Sequence, residues 1–178
     1  MASGNPCGGT TMSRYTFLTV LFALAVPSAA AAENATFVQD KPTAPAFLDG
    51  VTVDEMEGIM SKAGYQAKVG VDSENKPIID SKASGLNFWV YFYNCEGDQQ
   101  RCRSVQFETS LKTDKAMQDK ALEWNNKKVA GRATNNKDNT YFDYLIDCGG
   151  GVSADNLSQN LERFDTLMSE FTTYIGWH

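Results

Sequence analysis

Residues 85–111, GLNFWVYFYNCEGDQQRCRSVQFETSL, constrain the fold more than any other stretch of the chain. Residues 86–93 are apolar and aromatic apart from Asn87, as in a strand with little polar surface. Residues 103–111 alternate strictly. Val105, Phe107, Thr109 and Leu111 fall on one face; Ser104, Gln106, Glu108 and Ser110 fall on the other. Between the strands lie Cys95 and Cys102. If these cysteines face one another, the register of the hairpin follows. Phe92 opposes Val105, Val90 opposes Phe107, Phe88 opposes Thr109 and Leu86 opposes Leu111, all on one apolar face. Tyr93, Tyr91 and Trp89 then oppose Ser104, Gln106 and Glu108 on the second face. A slip of one residue would mix the two sets, so hydrophobic pattern and disulfide agree.

The flanking segments read as an alternation of helices and strands. Residues 52–63 predict a helix with Thr52 as N-cap, Glu55 completing a capping box, Met56, Ile59 and Met60 on the apolar side and Gly64 as the stop. Residues 66–71 and 77–81 predict a hairpin turning at residues 72–75. Beyond the central hairpin, Thr113 is the expected cap of a helix over 114–127 that carries Met117, Ala121 and Trp124. Residues 129–134 and 140–148 predict a last hairpin, with Phe142, Tyr144, Ile146 and Cys148 sharing one face. Ser153 caps a final helix in which Leu157, Leu161, Phe164, Met168, Phe171 and Ile175 step by four and three. That stripe fits a helix facing the sheet, with a seam between two subunits as the alternative. The expected class is α+β, an antiparallel sheet flanked by helices in the order α-β-β-β-β-α-β-β-α.

A chain of 178 residues suits one domain. Residues 1–32 have the marks of a secretory signal: Arg14 is their only charge, residues 15–26 are an apolar run, and Pro27-Ser28 precedes four alanines. The run is too short to span a membrane. Translation from Met12 would give an ordinary basic start to this leader. Residues 33–50, with Pro42 and Pro45, are expected to be a flexible arm, and 51–178 a single domain. Asn34-Ala35-Thr36 matches a glycosylation acceptor, which matters only in a eukaryotic source. Losing residues 1–32 removes one Arg and no acid, taking the net charge from −6 to −7. Nucleic acid and anionic membrane are poor partners for such a chain. Cys95, Cys102 and Cys148 remain. Export favours the Cys95–Cys102 disulfide and leaves Cys148 as a buried free thiol.

No catalytic, metal or cofactor set emerges. The only His is His178, which excludes Ser-His-Asp and Cys-His schemes. Residues 149–151 are three glycines without the context of a nucleotide loop, and read as a turn. Asp143, Asp147 and Asp155 could meet near that turn, without the spacing of a calcium loop. Arg103 and Arg132 are expected to pair with the plentiful acids rather than to hold an anion.

In combination, Gly85-Leu86-Asn87-Phe88, Tyr91-Phe92-Tyr93, residues 102–107 (CRSVQF), Glu123-Trp124-Asn125, Gly131-Arg132-Ala133 and Gly150-Gly151-Val152-Ser153 resemble the YbjN-domain family over about residues 51–174. The resemblance implies a fold like that of type III secretion chaperones, which often dimerise and bind other proteins, and a regulatory role without catalytic residues. Many relatives are cytoplasmic. The leader and cysteine pair look more like the exported members of Gram-negative bacteria, in the periplasm or outside the cell. The expected function is a non-enzymatic module binding a protein, a peptide or a second copy of itself. The alternative is a small ligand-sensing or carboxylate-based hydrolytic domain, which needs a pocket with paired carboxylates. Trp89, Tyr91 and Tyr93 mark the candidate binding face, because a wet face needs no succession of large rings. Residues 33–49 or the helix with Trp124 could instead cover them.

Overall fold

The computed structural model describes residues 47–97 and 100–178. It begins with the short strand β1 (Phe47–Leu48), followed by helix α1 (Val53–Lys62). The Thr52 side chain accepts from the Glu55 N–H and the Glu55 carboxylate accepts from the Thr52 N–H, a complete capping box. Then come β2 (Lys68–Val71), β3 (Pro77–Ala83), β4 (Leu86–Glu96) and β5 (Arg101–Lys112). Helix α2 (Lys115–Lys127) precedes β6 (Arg132–Asn136) and β7 (Asn139–Asp147); β8 (Val152–Ser153) leads into α3 (Ala154–Ile175). The fold is α+β in the expected order, with β1 and β8 added as a separate two-stranded pair.

The main sheet is antiparallel throughout, ordered β2-β3-β4-β5-β7-β6. Cys95 and Cys102 are disulfide-bonded and directly opposed, and the β4–β5 ladder continues to Trp89↔Glu108 in the expected register. Below that pair Thr109 Oγ1 donates to the Asn87 carbonyl at 2.8 Å.

All three helices pack on one face of this sheet. Leu157, Leu161, Phe164, Met168, Phe171 and Ile175 are each at most 1% exposed, so the α3 stripe faces the sheet. Phe164 lies 5.5 Å from Phe88 and 5.4 Å from Phe107, ring centre to ring centre, and Phe171 stacks on Phe142 at 4.2 Å. Each such side chain contributes roughly 1.5–3 kcal/mol through burial. Trp124 of α2 packs edge-on against Phe142 and Phe171, on this same core side.

Two local expectations need correction. The cap of α2 is Asp114, whose side chain accepts from the Met117 N–H; Thr113 instead shares a buried hydroxyl–hydroxyl bond of 2.9 Å with Thr140. The strand expected from residue 129 begins at Arg132, and Val129 lies fully in solvent. Gly131 holds φ +73°, and a Cβ there would stand 2.2 Å from the Phe142 ring. The chain can therefore pass so close to the core only as glycine.

Of the segment expected as an arm, Phe47–Leu48 pairs with Val152–Ser153 and the Gly50 N–H donates to the Cys148 carbonyl at 3.2 Å. Residues 33–46 lie outside the described residues, as does the expected leader; the acceptor at Asn34 falls among them.

Candidate functional site

Strand alternation sends every second side chain away from the helices. Among the described residues no helix packs against that second face. Because the register is continuous, its side chains form rows across the sheet. One row crosses all six strands: Lys68, Asp80, Trp89, Glu108, Asp143, Arg132. The next carries Ile78, Tyr91, Gln106 and Leu145. Trp89, Tyr91 and Tyr93 thus stand side by side on the helix-free face. Trp89 and Tyr91 are half-buried by their neighbours and Tyr93 is 43% exposed. The helix with Trp124 does not cover them.

Polar groups organise the face around these rings. The Tyr93 hydroxyl donates to Gln106 Oε1 at 2.8 Å. Burial, with Glu108 nearby, pushes the Tyr91 and Tyr93 hydroxyls above their usual range, so both stay neutral donors. Arg132 grips Asp143 Oδ2 through Nε at 3.1 Å and Nη2 at 3.0 Å, and Asp143 is only 4% exposed. Glu108 lies directly across from Asp143 but has no hydrogen bond or ion pair among the described residues. Burial first, and Asp143 second, raise its carboxyl above the usual carboxylate range; Arg132 pulls less strongly the other way. A shallow hollow of about 380 Å³ opens beside it, lined by Gln106, Val129, Arg132, Asp143 and Leu145 among others. Its rim includes two exposed aliphatic side chains, Val129 and Leu145.

The other expected groups lie elsewhere. Arg132 pairs as expected, and Arg103 comes within 4.0 Å of Asp49. The three aspartates near the glycine turn do not converge on a cation. Asp143 is held by Arg132, Asp147 accepts from the Gly149 N–H at 2.9 Å, and Asp155 sits in the first turn of α3. Among the described residues no group of three or more His, Cys, Asp or Glu is placed to hold a metal ion. Cys148 is a buried free thiol. Sequence reasoning found the rings but missed the Glu108–Asp143–Arg132 row. Its one visible signal was the unpaired acid in the alternation of residues 103–111. The pairing of β5 with β7 across an intervening helix left no local trace.

Residues 52–177 match the model of the YbjN family, described as "Putative bacterial sensory transduction regulator". No curated protein matches the chain. No helix among the described residues is long and apolar enough to cross a membrane.

Proposed function

The chain belongs to the YbjN family, and from that membership we propose that it is an exported regulatory module that binds a protein or peptide on its helix-free sheet face. The observation that carries the reading is the run Trp89, Tyr91, Tyr93 on a six-stranded face with no helix over it among the described residues. Rings with polar tips give much contact area at low entropic cost and are favoured at interfaces. The apolar leader and the Cys95–Cys102 disulfide support export to an oxidising compartment, the periplasm or the medium of a Gram-negative cell. Its acidity favours proteins over nucleic acids and anionic membranes as partners.

The reading as a sensor or hydrolase draws on one observation, the Glu108–Asp143 pair beside a hollow. Hydrolysis would need a nucleophile or a second free acid–base group beside Glu108. Among the described residues none stands there: Asp143 is held by Arg132, the only His is at residue 178, and Cys148 lies on the core face of the sheet. Binding without chemistry is the better account.

The test is affinity capture from periplasm and medium with wild type and with the Trp89→Ser, Tyr91→Ser double variant. The expected result is a protein retained by the first and lost from the second at a temperature where both remain folded. Equal retention by both would refute the reading.

A further inference from the structure

We propose that the aromatic face takes a basic segment of its partner, seating a Lys or Arg side chain on Glu108 against the Trp89 ring. This deepens the binding role proposed above and rests on it.

The charges within a single row of the sheet do not balance. Lys68 and Arg132 close the two ends, and Asp80, Glu108 and Asp143 lie between them. Arg132 is committed to Asp143 through two hydrogen bonds. Glu108 is left at the centre of the sheet, half-buried, with a second carboxylate directly opposite and no cation of its own among the described residues. Like charges opposed across two strands are destabilising, and burial of an unpaired carboxylate adds to the cost. An incoming cation removes both costs at once.

The neighbours fit the same guest. Trp89 is paired with Glu108 on the adjacent strand, so a cation at the carboxylate stands next to an indole whose face attracts cations. The long aliphatic stem of Lys or Arg would lie along Tyr91, and an apolar side chain of the same segment would fit the hollow between Val129 and Leu145. An acidic or phosphorylated segment would face Glu108, Asp143 and Asp80 and is excluded on charge. A second copy of the chain, at net charge −7 after loss of residues 1–32, is the weaker candidate.

The test is selection of random twelve-residue peptides displayed on phage against the purified protein. Three forms are compared: wild type, Glu108→Gln, and the Trp89→Ser, Tyr91→Ser double variant. Wild type should enrich peptides with a Lys or Arg beside apolar residues. Synthetic copies should lose about ten- to a hundredfold in affinity when that cation is replaced by Gln, or when Glu108 is. The double variant should lose all of them. Peptides with no cationic bias that survive Glu108→Gln but not the double variant would overturn the cation subsite and leave the aromatic face standing. Peptides indifferent to every substitution, or no peptides at all, would overturn both. A dimer in solution that blocks peptide binding and is broken by the double variant would overturn the cation subsite and assign the aromatic face to a second copy.

Discussion

Glu108 is the residue where the competing demands of folding and binding are most visible. Its folded-state carboxyl is raised, by burial first and Asp143 second, above the unfolded value. Between those two values the folded chain holds more protons than the unfolded one. Stability therefore falls as pH rises through the raised value, and the cost persists at neutral pH. Glu108→Gln, which keeps shape and removes charge, should raise the melting temperature at pH 7. It should also abolish the part of the gain in stability on mild acidification that belongs to this group, as a pH series of thermal melts would show. Lowered stability at pH 7 would mean that the carboxylate has a stabilising partner. Cys148 shows the opposite balance. It lies in the core with Phe142 and Ile146, and burial, with Asp147 behind it, pushes its thiol up to about 11. A thiol reagent at pH 8 should leave native Cys148 unmodified and label it on unfolding; fast native labelling would contradict the burial.

At the scale of elements, α1 buries its apolar side in the core and is also tied to the sheet through one charged side chain. Arg101 of β5 gives Nη1 and Nη2 to the two oxygens of Glu55, at 2.9 and 2.7 Å, and Nη1 also to the Gly50 carbonyl. Glu55 simultaneously completes the cap with Thr52. Burial pushes its carboxyl up, but the Arg101 and Thr52 bonds outweigh that and hold it below the usual range. Thr52→Ala should cost about 1 kcal/mol in chemical denaturation, the usual loss of a capping hydroxyl. The cap was legible because Thr-x-x-Glu is a local pattern. The Arg101 clamp was not, because 46 residues separate its partners. The same division runs through the chain. The α3 stripe and the β4–β5 register could be read from spacing, since each is fixed by its own periodicity. Asp114 displaced Thr113 as a cap because Thr113 finds a buried partner in Thr140, a contact no local pattern announces. The β1–β8 pair and the insertion of β7 between β5 and β6 likewise depend on distant chain. So the rings of the candidate face were foreseeable and their charged neighbours were not.

Over the whole molecule, the sheet has one face packed by three helices and one without a helix among the described residues, and β4 contributes aromatic rings to both. Phe88 and Trp89 are consecutive, yet Phe88 is fully buried among Phe107 and Phe164 while Trp89 lies half-buried over Glu108. If the second face is a binding surface, truncation on the two sides must have unequal consequences. Phe88→Ala should lower the free energy of unfolding by about 3–5 kcal/mol, the cost of an emptied aromatic site in a packed core. The Trp89→Ser, Tyr91→Ser double variant loses mainly cross-strand contacts, each worth roughly 0.2–1 kcal/mol, and should cost about 1–2 kcal/mol in total. Urea titration of the three proteins side by side measures the difference. The slope with denaturant should stay the same for the double variant, because the surface exposed on unfolding barely changes. Should the double variant lose as much stability as Phe88→Ala, the rings would belong to a second core, and the face would not be free for a partner.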